Sequence, residues 1–230
     1  MVARTVDDPS EPYRRILERS ELIRLRAATA PLRTEPTTRR GHETVEHVLA
    51  VASELLGTVP VHDLTTHGVA SAAGINIATL YRYFVDINAI LREIALRREI
   101  AQCDRMVDAM PLLAGAPDWR AVVRGTVHEM GRMRRDVPEG RAIVVGLMTI
   151  PELRPVLDAG QEVGSLLTAT ALSTRTPAMS ADDWLPITRL LISTARHGID
   201  VAHAGPDPDE RRVELVADLL IAYLATFLPD

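Results

Sequence analysis

The sequence predicts an all-α protein, and three observations carry that reading. Hydrophobic residues make up 47% of the chain but aromatics only 3%, so the core must be built from Leu, Val, Ile and Ala. Ala and Leu propagate helices, whereas strands favour β-branched and aromatic residues. Apolar residues recur at helical spacing, most clearly at Val45, Val48, Leu49, Ala52, Leu55 and Leu56, while no segment alternates with the period of two that a half-buried strand requires.

The elements follow in order. Residues 1–40 are polar and punctuated by Pro9, Pro12, Pro31 and Pro36. They read as an extension with a marginal helix over 11–28, Ser10 as N-cap and Pro12 in the first turn. A flexible, Arg-containing arm is expected from about Pro31 to Gly41. A strong amphipathic helix spans 43–56 and stops at Gly57. Thr65 is placed to cap a helix that buries Val69, Ala70 and Ala73. Gly74 supplies the positive φ of a turn, Ile75 plugs the core, and Asn76 caps a second helix to about Phe84, with Leu80 and Phe84 inward. Asp86 caps a long helix expected to reach roughly Ala109 and end at Pro111. Further helices are expected near 118–135, 139–149, 152–173, 181–204 and 208–228, with Pro155 and Pro186 early in theirs. The expected organisation is an extension over 1–40, a helix-turn-helix domain over 41–88, and a sensing and dimerisation domain over 89–230.

At 230 residues the chain can bury a sizeable core. All 26 basic residues are arginine, a preference that codon bias in a GC-rich genome would produce. Cys103 is the single cysteine, so no intrachain disulfide can form, which suits a reducing compartment. The first 30 residues lack the apolar core of a secretory signal, and no apolar run reaches the ~20 residues of a membrane span. A cytoplasmic protein is expected. Charge is uneven. Residues 1–40 hold nine Arg against six acids, whereas residues 41–92 hold Arg82 and Arg92 against Glu43, Glu46, Glu54, Asp63 and Asp86. The helix-turn-helix is therefore acidic, and the basic residues lie just ahead of it.

A helix enters the ~12 Å major groove only if its leading side chains are short or can bond base edges. Asn76, Ile77, Ala78 and Thr79 meet that requirement, and Tyr81, Arg82 and Tyr83 have the reach for phosphate oxygens. Spacing alone leaves an ordinary helical hairpin open. The run Leu64-Thr65-Thr66…Val69-Ala70-Ser71-Ala72-Ala73-Gly74-Ile75-Asn76…Thr79-Leu80-Tyr81-Arg82-Tyr83-Phe84 closely resembles the signature of the TetR family of transcriptional regulators, over about residues 42–95. The resemblance implies that Thr66 and His67 touch phosphate or a groove edge, that Ile77, Ala78 and Thr79 read bases, and that Tyr81 and Tyr83 contact phosphate. Two departures stand out. Ile87 occupies a position where the family usually has a phosphate-binding lysine, and His67 stands where a longer basic residue is common. Arg33, Arg39 and Arg40 in the arm, with Thr44 nearby, are the candidates to replace those contacts, the arm lying in the minor groove.

The segments 181–204 and 208–228 are apolar on most sides, which requires burial on two faces. Pairing with a second copy gives a four-helix interface and a homodimer on a palindromic operator, its readers about 34 Å or somewhat more apart. A small, apolar effector would then shift the reader spacing and release the DNA. Val123, Val127, Met130, Met133, Met148, Leu166, Leu167 and Leu191 are candidates for its pocket wall, with His128, Trp184, His197 and Asp200 as polar anchors. Simple core filling is the alternative for each. No cofactor or metal is expected. His197, Asp200 and His203 lack metal-ligand spacing, and no nucleophile elbow, P-loop or dinucleotide fingerprint occurs, so an enzyme is not expected. The rival to a repressor is a ligand-sensing or protein-binding dimer that has lost or weakened DNA binding.

Overall fold

The computed structural model describes residues 8–28, 34, 36–136, 140–203 and 207–229, and its regular elements are all helical. Helices α1 (Glu11–Glu18) and α2 (Glu21–Ala28) precede α3 (Arg39–Leu56). A 3-10 turn at Val61–Asp63 leads to α4 (Thr66–Ala72) and α5 (Ile77–Tyr83). The long α6 (Ile87–Gly115) runs into α7 (Trp119–Arg135), α8 (Gly140–Thr149), a second 3-10 turn (Pro151–Leu153), α9 (Arg154–Arg175), α10 (Ala181–Ala202) and α11 (Glu210–Leu224). No helix among the described residues is long and apolar enough to cross a membrane.

Most boundaries follow from caps. The side chains of Thr38, Thr65, Asp86, Asp118 and Asp209 each accept the N–H three residues ahead, and Asn76 accepts that of Ala78. Ser180 and Asp183 form a reciprocal capping box on α10. Such caps contribute about 1 kcal/mol apiece. Thr38 explains why α3 begins at Arg39, four residues earlier than the periodicity indicates, which takes Arg39 and Arg40 out of the expected arm and into a helical first turn.

The extension corrects the sequence reading further. Residues 11–28 form two helices, because Ser20 turns the chain. Its hydroxyl donates to the Leu17 carbonyl at 2.6 Å and accepts the Ile23 N–H at 3.3 Å. Ser10 precedes α1 but makes no side-chain cap bond. Tyr13, Leu17 and Leu22 are buried, packed with their helices onto α6 and α9. Arg14 lies 3.9 Å from Asp108, which is 21 residues into α6 and so about 30 Å along it from the helix-turn-helix.

Pro111 does not end α6, which continues for another turn to Gly115. The proline forgoes one hydrogen bond, but buried Leu113 and the 2.8 Å bond from Ala116 N–H to the Leu112 carbonyl hold that last turn. α6 is the spine of the molecule. It packs on α3 near its start and on α7 and α9 beyond, while α10 joins α9 and α11 joins α7 and α10.

Candidate DNA reader and sensor cavity

The turn between α4 and α5 is fixed by backbone chemistry. Gly74, at φ +64°, is the only positive-φ residue among those described. It allows a Schellman closure, with Ile75 N–H bonded to the Ala70 carbonyl at 3.0 Å and Gly74 N–H to that of Ser71 at 3.1 Å. The ring of His47 on α3 donates from Nε2 to the Ala73 carbonyl at 3.0 Å, tying this turn to the first helix of the domain. Leu80 and Phe84 are fully buried beneath α5.

That support leaves Asn76, Ala78, Tyr81 and Arg82 exposed and Ile77 and Thr79 half-buried along the leading edge of α5. His67 is exposed on α4, and the hydroxyls of Thr66 and Tyr81 lie 3.0 Å apart, joining α4 to α5. Tyr83 differs from expectation. It is buried, its hydroxyl against the first turn of α3 at Gly41, with the Arg82 guanidinium over its ring at 5.7 Å. Tyr83 therefore braces the domain, and Arg82 is the cation beside it. Thr44 is half-buried and bonds its own helix at the Arg40 carbonyl.

The acidity of the domain is partly cancelled in place. Glu43 accepts from Arg39 at 2.8 Å, and Glu46 accepts a bidentate pair from Arg97 at 2.6 and 2.9 Å. Arg97 also bonds Glu93 at 2.6 Å, so one guanidinium links the reader to the spine. The hydrogen bond to Glu46 is the main reason its pKa is raised above the ordinary arginine value. Arg33 lies outside the described residues.

In the sensing domain, α6, α7, α9, α10 and α11 enclose a cavity of about 60 Å³. Its wall includes Met106, Met110, Val123, Val127, Met130 and Leu191, and its hydroxyl-bearing residues are Thr126 and Thr168. An adjoining surface groove of about 310 Å³ between α6 and α7 shares Met106, Val122, Thr126 and Met130 with it. Of the expected wall residues, Val123, Val127, Met130 and Leu191 meet here. Met133 lines the outer groove, Leu167 is in the core, and Leu166 faces the extension at α1 and α2. The Met148 side chain lies outside the described residues. Met106, Met110 and Leu113, the wall residues contributed by α6, escaped sequence reasoning because they continue an ordinary core stripe.

The expected polar anchors go elsewhere. His128 bonds Glu214 on α11 at 2.8 Å, and Trp184 is buried with its Nε1–H donated to Thr176 at 2.9 Å. His197 is exposed on α10. Only Asp200 belongs near the cavity, in a buried polar cluster one helical turn beyond it. There Arg134 bonds Asp200 at 2.7 Å and the Gln102 amide oxygen at 3.4 Å, and Arg196 bonds Glu99 at 2.7 Å. Gln102, Glu99, Arg134 and Arg196 are each at most 5% exposed. Burial, and next the charge of Arg134, push Arg98 down to about 10. Burial also opposes the charge on Arg196, but Glu99 and Asp200 outweigh it and leave its pKa raised. Cys103 is a buried thiol whose pKa is raised, first by burial and then by Glu99.

A short helix pair presented on a glycine turn, linked by one long helix to a second helical domain with an internal cavity, defines a two-domain helix-turn-helix protein. Residues 48–94 match the model of the bacterial regulatory proteins of the tetR family, and residues 118–224 match the tetracycline repressor-like C-terminal domain. The chain belongs to the TetR family of transcriptional regulators, a family of DNA-binding proteins rather than enzymes. A TetR-family regulator from Streptomyces coelicolor is similar at 25% identity with a TM-score of 0.61, covering 82% of this chain and 99% of its own. A putative TetR-family regulator from Mesorhizobium loti is similar at 16% and 0.63, covering 82% and 98%. The repressor AlkX from a Dietzia species, implicated in n-alkane biodegradation, is similar at 19% and 0.53, covering 79% and 98%. No protein of curated function matches the chain in sequence. The hairpin of α1 and α2 lies outside both family models.

Proposed function

We propose that the chain is a cytoplasmic, ligand-responsive repressor that binds a palindromic operator as a homodimer and releases it when a small, largely apolar effector enters the sensing domain. The observation that carries this reading is the α4–α5 turn, which holds the short side chains of α5 outward over the fully buried Leu80 and Phe84. Residues 41–88 act as the reader and 89–230 as sensor and dimer, with α6 crossing the boundary. Asn76, Ile77, Ala78 and Thr79 face bases, and His67, Tyr81 and Arg82 face phosphates, whereas Thr66 is buried and holds the Tyr81 hydroxyl in place. Arg39 and Arg40, exposed at the start of α3, add cations. The exposed Arg39–Glu43 pair is worth little and can exchange for a phosphate.

The dimer rests on apolar side chains the single chain leaves in water. Leu190 of α10 and Leu215, Leu219 and Tyr223 of α11 are between 39% and 56% exposed on one helix pair. A contiguous apolar patch of this kind marks an interaction surface.

An electrophoretic shift with the DNA upstream of the protein's own coding sequence tests the reading, beginning at low salt. Binding that weakens with salt is expected, and Arg82→Ala should lower the log–log slope by about 0.9. No shift even at low salt would refute it and leave a sensing dimer without DNA binding.

A further inference from the structure

The buried cluster beyond the cavity is short of acceptors. Gln102 turns its amide oxygen to Arg134, which can only donate, so its Nε2 must point the other way. That Nε2, Arg98 Nη2 and Arg196 Nε are buried donors with no partner among the described residues. Two buried acceptors are left over and neither meets those donors: Glu99 Oε2 is pressed against Gly160, where an added Cβ would clash with it, and His203 Nε2, whose ring donates from Nδ1 to the Ile199 carbonyl, lies against Gly131. Among the described residues charge is short in the same sense, with three guanidiniums on Arg98, Arg134 and Arg196 against two carboxylates on Glu99 and Asp200. The cluster also borders the cavity directly. On α6, Gln102 is one turn from Met106. On α7, Arg134 is one turn from Met130 and donates to its carbonyl at 3.1 Å. On α10, Arg196 follows Ala195, which lines the cavity. Gln102 itself lines the groove that shares Met106 and Met130 with the cavity.

Resting on the reading of that cavity as the effector site, we infer that the effector is an apolar carboxylic acid, its carboxylate received by Gln102 Nε2 in the field of the three arginines and its hydrocarbon body held between α6, α7 and α10. A carboxylate brings both things the cluster lacks, acceptor oxygens and one negative charge. An alcohol brings an acceptor without the charge, and an amine adds to the positive excess. The 60 Å³ cavity is too small for such a body alone, so the unbranched side chains of Met106 and Met130 must rotate to join it to the groove.

Calorimetric titration of the full chain with hexanoate, 1-hexanol and hexylamine at one ionic strength tests the inference. Hexanoate should bind at least tenfold tighter than hexanol, and hexylamine should not bind. Gln102→Leu should bring hexanoate and hexanol within threefold of each other. Gln102→Glu places a fixed carboxylate in the cluster, so it should raise the melting temperature, abolish hexanoate binding and spare hexanol. Val127→Phe, which fills the cavity, should abolish both. Hexanol binding as tightly as hexanoate, or hexanoate binding unchanged in Gln102→Glu, overturns the carboxylate while leaving the cavity as effector site. Binding of hexanoate and hexanol undiminished by Val127→Phe, or no binding by any of the three, overturns the cavity reading and the carboxylate with it.

Discussion

Gly160→Ala is the sharpest probe of the buried ion pair. In α9 the new methyl would lie 2.2 Å from Glu99 Oε2, whereas ordinary contact begins near 3.4 Å, so the carboxylate must withdraw by about 1.2 Å. Glu99 is held at 2.7 Å by Arg196, the two side chains 1% and 4% exposed, and water cannot replace what is lost. Breaking a buried pair from one side costs about 3–5 kcal/mol. Ala gains about 0.5–1 kcal/mol over Gly in a helix interior. The expected net loss is about 2–4 kcal/mol, or a melting temperature lower by roughly 5–15 °C for a chain of this size. Gly125→Ala is the control. Gly125 is also inside a helix, is exposed, and has nothing within 4 Å of an added Cβ, so that variant should gain up to about 1 kcal/mol. Thermal and denaturant melts at one fixed protein concentration decide, since a dimer's midpoint depends on concentration. If Gly160→Ala melts with Gly125→Ala, the close approach of Glu99 to α9 is wrong, and so is the acceptor shortage argued from it.

Gly74→Ala meets no steric obstacle but forces an L-residue to φ +64°, at a cost of about 1–2 kcal/mol; denaturation should show that loss, and operator affinity should fall with it. Leu219→Arg places a charge in the exposed stripe of α11, and light scattering on the eluted proteins should find a dimer for the parent chain and a monomer for the variant. Tyr13 gives an alkaline signature: burial raises its phenol above the ordinary value of 10.0, the Thr174 hydroxyl pulling the other way. A raised folded-state value means that its stabilisation is complete below pH 10 and is lost as pH rises through that value, so stability measured from pH 9 upward should fall less steeply in Tyr13→Phe.

The reader was legible because its determinants are local. Thr65, Gly74, Asn76 and Asp86 each act within five residues through a cap or a turn, and such signals survive in a string of letters. The extension was only half legible. A ragged apolar stripe over 11–28 is what two short helices look like when read as one, and the serine that separates them is an ordinary polar residue until its neighbours are placed. Pro111 misled for a related reason, since a buried leucine beyond it keeps the helix going. Of the polar cluster, the sequence offered only Asp200. Arg134 meets Asp200 across 66 positions and Arg196 meets Glu99 across 97, and no spacing rule spans such separations. His128, Trp184 and His197 looked equally able to serve a ligand, and only the packing of α7, α10 and α11 decides where each one faces.

The docking of α1 near Asp108 has a practical side. The chain begins its described course at the outboard end of the molecule, with Arg14 about 30 Å along α6 from the helix-turn-helix, and only then enters the DNA-binding helices. A fluorophore or purification tag fused ahead of residue 8 would report on the sensing domain and leave the DNA-facing surface clear. The reader is meanwhile tied to that same body twice, by the continuous α6 and by the bridge from Arg97 to Glu46.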